Sequence, residues 1–160
     1  MAVQQNSLTY AQTYPVCAAR WLAGSPQPLR IFNQYGEGGY LADALSAKGD
    51  KIYIFGDAAL MGDQMLYRYA AITSVQPGWS ERILQSGAQI VLYDANTPLA
   101  DVMEASPQWV EVYHDPLSVA FIPVGEVGHI ALPAQPSSYP AGDPCGNLAT
   151  SSTDIGAQNT

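Results

Sequence analysis

Three short runs of apolar, β-prone residues alternate with segments of helical spacing, and this alternation constrains the fold more than any other feature of the chain. The runs read LRIF, IYIF and IVLY, and a continuous apolar run such as IYIF is typical of a strand buried on both faces. Strands separated by helices pair in parallel through right-handed crossovers. We therefore expect strands over residues 29–32, 52–55 and 90–93, and helices over 14–23, 40–47, 64–75, 79–86 and 99–105.

Two further strands are expected after the last helix. The run WVEVY at 109–113 alternates apolar and polar residues, which indicates a half-buried strand, and SVAFIP at 118–123 follows after a His-Asp-Pro turn. Two strands joined by so short a turn favour an antiparallel hairpin. The sequence thus predicts an α/β fold: a small three-layer α/β/α sandwich with a mostly parallel five-stranded sheet and a C-terminal antiparallel hairpin.

The 160 residues suffice for one domain. Residues 1–13 are polar and unpatterned, so we expect a flexible lead-in there. The single α/β domain is expected over 14–130. Residues 131–160 are rich in Pro, Ser and Gly and poor in large apolar side chains, which is typical of a low-complexity segment that is extended or disordered.

The charge of the chain argues against several classes of partner. Six Lys and Arg face 14 Asp and Glu, for a formal charge of -8, whereas a nucleic-acid-binding protein needs a basic face that displaces counterions. All six basic residues lie in the first 82 positions, and residues 83–160 contain acids but no Lys or Arg. The second half therefore predicts either an acidic, solvated surface or one that faces cations. No run approaches the roughly 18 apolar residues of a membrane span.

Polar residues follow three of the expected strands at the point where each strand ends. Ligands of open α/β sheets bind in the loops beyond the carboxyl ends of the strands, and here these loops are 33–39, 56–63 and 94–97. Because such loops meet at one edge of a parallel sheet, we expect a shared polar pocket there. The candidate ligand-binding residues are Asn33, Tyr35, Glu37, Gly38, Gly39, Asp57, Asp63 and Asp94.

The chemistry of this pocket stays open at the level of sequence. The first loop, NQYGEGGY, is neither a dinucleotide-binding fingerprint nor a phosphate-binding loop; its glycines suit a tight turn with unusual backbone angles. The loop acids could bind a divalent cation, form an acid–base pair or simply face water. We assign no cofactor, no metal ligand and no catalytic residue, although a divalent cation is compatible with the loop acids.

The two cysteines, Cys17 and Cys145, allow two interpretations. In an oxidising compartment a disulfide between them would tie the C-terminal segment to the first helix and stabilise the fold by about 3–5 kcal/mol. In a reducing compartment they would be two unrelated thiols.

An ordered series of short motifs runs through residues 14–123. Its members are Tyr14-Pro15, Arg20-Trp21-Leu22, Asn33 and Tyr35 with Gly38-Gly39-Tyr40-Leu41, Gly62-Asp63, Pro77-Gly78-Trp79, Thr97-Pro98-Leu99, and Trp109 with Tyr113 and Asp115. This order resembles the soluble extracytoplasmic domain that ends bacterial polytopic membrane proteins of the GT-C, polyprenyl-phosphate-sugar-dependent glycosyltransferase type. The chain differs where that family has Asp-Gly-Arg-x-Asp, because here the segment reads Phe55-Gly56-Asp57-Ala58-Ala59.

The resemblance implies a non-catalytic accessory domain in the cell envelope, attached to a membrane-anchored parent and engaged in glycan or acceptor binding or in assembly. Its implied partners are a glycan or lipid-linked sugar and the transmembrane region of the parent. The N-terminus shows no secretory-signal pattern, which favours an excised domain over a free-standing relative. Two alternatives stay open: a free-standing module for protein interaction or self-assembly through the acidic face, and a small enzyme that uses Asp57 or Asp63 as a base.

Overall fold

The computed structural model describes residues 14–54 and 62–146. The helices are α1 (Val16–Ala23), α2 (Gly38–Leu45), α3 (Asp63–Thr73), α4 (Trp79–Gln85) and α5 (Pro98–Ala105). The strands are β1 (Arg30–Asn33), β2 (Lys51–Ile52), β3 (Ile90–Asp94), β4 (Trp109–His114) and β5 (Ser118–Pro123). Short 3₁₀ helices follow β1, α2 and β5, at Tyr35–Glu37, Ser46–Lys48 and Val124–Glu126. Among the described residues, no helix has the length and apolar character needed to cross a membrane.

The five strands form one mixed sheet in the order β2-β1-β3-β5-β4. Strand β1 pairs in parallel with both β2 and β3. Strand β5 pairs antiparallel with β3 on one side and with β4 on the other. The predicted α/β class and the five strands are confirmed, and β5 is the one strand of this sheet that runs against the others.

Alternate residues of the strands point into two separate buried clusters, as the two-residue period of a strand requires. Ile31 and Leu92 join one cluster, while their neighbours Phe32 and Val91 join the other. Helices α1 and α2 contribute to the first cluster, and helices α3, α4 and α5 contribute to the second. Residues on both faces of β1 and β3 are therefore buried, which explains why β3 reads as an almost continuous apolar run.

The ends of the helices follow the local sequence. Thr97 caps α5, since its hydroxyl oxygen accepts a hydrogen bond from the Ala100 N–H at 3.3 Å, and Pro98 occupies the first turn. Helix α3 ends at Thr73, two residues before the expected end, because Val75 has a left-handed backbone with φ 57°. The periodicity of the preceding residues gave no sign of this turn.

The second strand is shorter than the sequence predicts. Backbone pairing with β1 continues to Tyr53, whose N–H donates to the Ile31 carbonyl at 2.9 Å. The next residue, Ile54, pairs with the side chain of Asn33 instead of with a backbone group. The rest of the expected strand, at Phe55, lies outside the described residues.

The C-terminal segment packs against the domain up to residue 146, so of the two expected states, extended or disordered, its described half is in the extended, ordered one. Side chains of the first helix region hold its backbone: the Trp21 indole N–H donates to the Pro133 carbonyl at 2.9 Å, and the Ser25 hydroxyl donates to the Ala131 carbonyl at 2.6 Å. The segment is largely without regular secondary structure, in line with its proline content. The packed unit therefore extends beyond the expected boundary at residue 130.

A disulfide between Cys17 and Cys145 closes this attachment covalently. Both cysteines are buried, and together with Val16, Leu117 and Tyr139 they form a third apolar cluster. An ion pair of 2.9 Å between Arg20 and Asp143 lies close by in sequence. Of the two interpretations of the cysteines, the structure shows the first, a disulfide between Cys17 and Cys145.

Loss of this bridge should destabilise the protein strongly, because its partners are 128 residues apart. The loop-entropy relation predicts a loss of about 3–5 kcal/mol in the free energy of unfolding. Urea denaturation of the wild type with and without reductant measures it. The Cys17→Ala/Cys145→Ala variant serves as the control, since it should match the reduced wild type and be insensitive to reductant; a loss below about 1 kcal/mol in both would contradict the assignment.

Candidate functional site at the carboxyl ends of β1 and β3

The candidate site lies where the order of the strands reverses. From β1 the chain passes through α2 to β2 on one side of β1, and then through α3 and α4 to β3 on the other side. In open α/β sheets such a switch point leaves a crevice beyond the carboxyl ends of the two neighbouring strands. Gln34, which follows β1, and Asp94, the last residue of β3, stand at this edge with the residues after them.

Asn33 holds the end of β1 in place and is not available to a ligand. The side chain is fully buried. Its amide nitrogen donates to the carbonyls of Ile54 at 2.7 Å and Gln34 at 3.0 Å, and its oxygen accepts the Ile54 N–H at 3.1 Å. The amide thus continues the strand pairing where β2 ends, which is a structural role that the sequence did not distinguish from ligand binding.

The stretch that follows β1 holds two buried acceptor oxygens three residues apart in sequence, one on Gln34 just before the 3₁₀ helix and one on Glu37 at its end. No described residue donates a hydrogen bond to Gln34 Oε1 or to Glu37 Oε2, although both atoms are shielded from solvent. A buried acceptor without a donor costs about 1–3 kcal/mol, so native structures rarely keep one without a use. These two oxygens are the strongest indication of a ligand-binding position at this edge.

Glu37 is held close to neutrality by its surroundings. Burial, followed by the carboxylates of Asp94 and Asp115, raises the pKa of Glu37 from 4.5 to about 7. Near neutral pH the group is therefore a mixture of a protonated form, which donates one hydrogen bond, and an ionised form, which only accepts. Either form can bind a hydroxyl group.

Two tyrosines from other elements complete the wall of the site. The hydroxyl oxygen of Tyr69, on α3, accepts the Tyr35 N–H at 2.7 Å and is hydrogen-bonded to the hydroxyl of Tyr93, on β3. Burial raises the pKa of both hydroxyls, so they remain protonated at physiological pH. Beneath them Phe32 contacts both rings, with centroid distances of 5.8 and 6.4 Å.

Asp94 brings a second carboxylate to the same edge. Its Oδ1 accepts the Asn96 N–H at 3.0 Å, and its carbonyl accepts the Thr97 hydroxyl at 2.9 Å. Both oxygens of the nearby Asp115 have partners within the fold, since they accept the Tyr113 hydroxyl and the N–H groups of Leu117 and Ser118. Asp94 is therefore the carboxylate near Glu37 whose second oxygen, Oδ2, accepts no hydrogen bond from a described residue.

The glycines of the first loop do not have the unusual backbone angles expected of them. Gly36, Gly38 and Gly39 are absent from the residues with positive φ, and Gly38 is helical, with φ -59°. A side chain added at Gly36 or Gly39 would meet no atom within 4 Å. Neither glycine is therefore required by a turn or by a close contact in the described structure.

The remaining predicted residues are distributed unevenly. Tyr35 is 41% exposed at the rim of the site. Asp63 is an exposed residue in the first turn of α3, and no described contact joins it to the cluster. Asp57 lies outside the described residues. Within residues 14–54 and 62–146, no group of three or more His, Cys, Asp or Glu is arranged to hold a metal ion.

Sequence reasoning missed Gln34, Tyr69 and Tyr93 as parts of the site. Gln34 follows Asn33 directly, so the rule that places ligand-binding residues at strand ends could have identified it as well. Tyr69 and Tyr93 carry the spacing of core residues, and only the tertiary packing of α3 and β3 on Phe32 brings their hydroxyl groups together.

A scan against protein-family models, a search of curated proteins and a search of solved structures each find no match to this chain.

Replacing Asn33 should test its structural role. Asn33→Ala leaves the buried N–H and carbonyl of Ile54 without partners, and we expect the free energy of unfolding to fall by about 3 kcal/mol. Asn96→Ala, at an exposed position, is the matched control and should change it by less than about 0.5 kcal/mol. Urea denaturation of both variants checks the contrast, and equal effects would contradict the assigned role.

Glu37 should make stability depend on pH. Since the folded-state pKa is raised from 4.5 to about 7, its stabilising contribution is complete below pH 4.5 and is lost as the pH rises through 7. We expect the free energy of unfolding to drop by about 2 kcal/mol over this interval, after allowance for partial solvent exposure. Glu37→Gln should abolish this component in urea denaturation series from pH 4 to pH 8; identical pH profiles for variant and wild type would contradict the assignment.

Proposed function

We propose that this chain is an extracytoplasmic accessory domain of a glycosyltransferase-like membrane protein and that its strand-end site binds a glycan or the sugar of a lipid-linked intermediate. The observation that carries the binding role is that two buried oxygens, Gln34 Oε1 and Glu37 Oε2, each lack a hydrogen-bond donor among the described residues. Sugar hydroxyls are the complementary groups, because each supplies a donor and an acceptor.

The rest of the site supports a neutral, polyhydroxylated ligand. A raised pKa lets Glu37 bind hydroxyl groups without a full buried charge, and the protonated Tyr69 hydroxyl adds a donor of its own. The exposed ring of Tyr35 offers a flat apolar face at the rim, of the kind that packs against the face of a sugar ring.

Two features support the envelope location and the domain architecture. The Cys17–Cys145 disulfide suits an oxidising compartment, since such bridges are rare where thiols are kept reduced. The two buried clusters on opposite faces of the sheet and the antiparallel pairing of β4 with β5 support a three-layer α/β/α sandwich that ends in a hairpin.

Titration with a panel of mono- and disaccharides, followed through backbone amide NMR signals, tests the binding role. We expect saccharide-dependent shifts at Tyr35, Glu37 and Asp94, and a loss of affinity of at least about tenfold in Glu37→Ala, corresponding to one buried hydrogen bond to a polar group. Glu126→Ala is the matched control, because Glu126 also ends a 3₁₀ helix, after β5. No shift at these residues with any saccharide would remove the binding role.

The reading frame upstream of the codon for Met1 tests the parentage. A series of hydrophobic spans there is the expected result. An upstream stop codon would contradict attachment to a membrane-embedded parent.

A second function, as a docking or self-association module, is favoured by one observation. Val124 and Val127, in the segment after β5, are 55% and 53% exposed, although their neighbours in β5 are almost fully buried. Sedimentation over a range of concentrations distinguishes the two functions: self-association that is lost in Val124→Ser/Val127→Ser supports docking, whereas a monomer at all concentrations contradicts it.

A further inference from the structure

Four of the six basic side chains of this acidic protein gather on one side of the molecule. They are Arg30, Lys51, Arg68 and Arg82. The other two, Arg20 and Lys48, each form an ion pair of 2.9 Å, with Asp143 and Asp50 respectively. In the described part of the chain, the four gathered cations form no ion pair with any acid.

These four residues line two adjoining cavities beside the short edge strand β2. The larger, of about 610 Å³, lies between the start of α3 and the end of α4 and is lined by Arg68 and Arg82. The smaller, of about 100 Å³, is lined by Arg30 and Lys51, and the two share Tyr53 and Ser86. We call the pair the basic cleft. No carboxylate is among its described lining residues.

Two of the cations are already held in position by the backbone. Arg82 donates from Nη1 to the Pro77 carbonyl at 2.6 Å, and Arg30 donates from Nε to the Gly87 carbonyl at 2.6 Å. Each guanidinium has five N–H donors, so four remain on each for another acceptor. Groups positioned in advance lose less conformational entropy when a ligand binds.

Unlike Arg30 and Arg82, Arg68 is not held in position by another described residue. Its side chain is exposed on α3 and makes no hydrogen bond or ion pair with a described residue, although Asp63 lies on the same helix. In a protein of formal charge -8, a cleft whose described lining holds several cations without an ion-pair partner and no carboxylate is a strong local departure from the average surface. Such a cleft attracts anions by its local field whatever the net charge of the molecule.

We propose that the basic cleft binds a small soluble molecule that carries a phosphate-type oxyanion. Arginine recognises such groups through paired, charge-assisted hydrogen bonds, and Arg68 and Arg82 face the same cavity from two helices. The half-buried ring of Tyr53, packed on Phe32 at a centroid distance of 4.9 Å, offers a flat apolar wall for the body of the molecule. The larger cavity lies within the roughly 300–1,000 Å³ range of small-molecule sites.

This inference does not rest on the proposed glycan site. The basic cleft shares no lining residue with Gln34, Glu37, Tyr69 and Asp94. A protein that binds uncharged saccharides at the strand ends and no oxyanion at the cleft, or the reverse, separates the two proposals.

Titration of the whole protein with pyrophosphate and with inorganic phosphate tests the cleft, by calorimetry and through the arginine Nε–Hε NMR signals. We expect pyrophosphate to shift the signals of Arg68 and Arg82. Arg68→Gln should weaken binding about tenfold, since one charge-assisted pair is lost. This variant removes no hydrogen bond or ion pair with a described residue, and an unchanged urea-denaturation midpoint confirms that it is folded.

Arg20→Gln is the matched control, because it removes the same charge away from the cleft and should change affinity less than twofold. Equal weakening by Arg20→Gln and Arg68→Gln would overturn the proposal in favour of unspecific charge attraction. Vesicles of phosphatidylglycerol form the second arm: binding to them without a response to soluble phosphate or pyrophosphate would overturn the small-molecule ligand in favour of a lipid surface. No response to pyrophosphate at 1 mM, roughly 4 kcal/mol of binding free energy, would also overturn it.

Discussion

The buried amide of Asn33 fixes the edge of the sheet on which the candidate site depends. It replaces the backbone of a neighbouring strand at the point where β2 stops pairing, and it satisfies both polar groups of Ile54. A buried backbone group without a partner is costly, so the chain can leave the sheet here only because a side chain takes over. The hydrogen bonds of the Asn33 side chain thus set where β1 leaves the sheet. They thereby also position Gln34 and the 3₁₀ helix that ends at Glu37.

The elements were predictable from sequence where one physical signal dominated. The apolar runs gave β1 and β3, and the Thr-Pro pair gave the start of α5, because burial on both faces and capping each leave a local trace. The end of α3 at Val75 and the early end of β2 were not predictable, since the first depends on a left-handed residue and the second on a side chain that reaches across the sheet. The packing of residues 131–146 was missed for a related reason, because the composition of a segment does not reveal backbone carbonyls that a distant tryptophan and serine can bind.

The sequence predicted the position of the candidate site in the fold better than it predicted which residues form it. The rule for strand ends correctly located polar groups beyond β1 and β3. It could not distinguish Asn33, whose side chain is hydrogen-bonded to the backbone of Ile54, from Glu37, whose Oε2 has no partner among the described residues. That distinction depends on burial and on hydrogen-bond accounting in three dimensions, as does the placement of Tyr69 beside Tyr93.

The disulfide has a mechanical consequence. Cys17 and Cys145 stand near the two ends of the described chain, and every strand lies between them. Tension applied from outside at both ends would pass through the sulfur atoms and bypass the strands. The disulfide closes the chain that contains the sheet into a covalent loop. The hydrogen bonds between the strands therefore carry no load when the flanking chain is pulled.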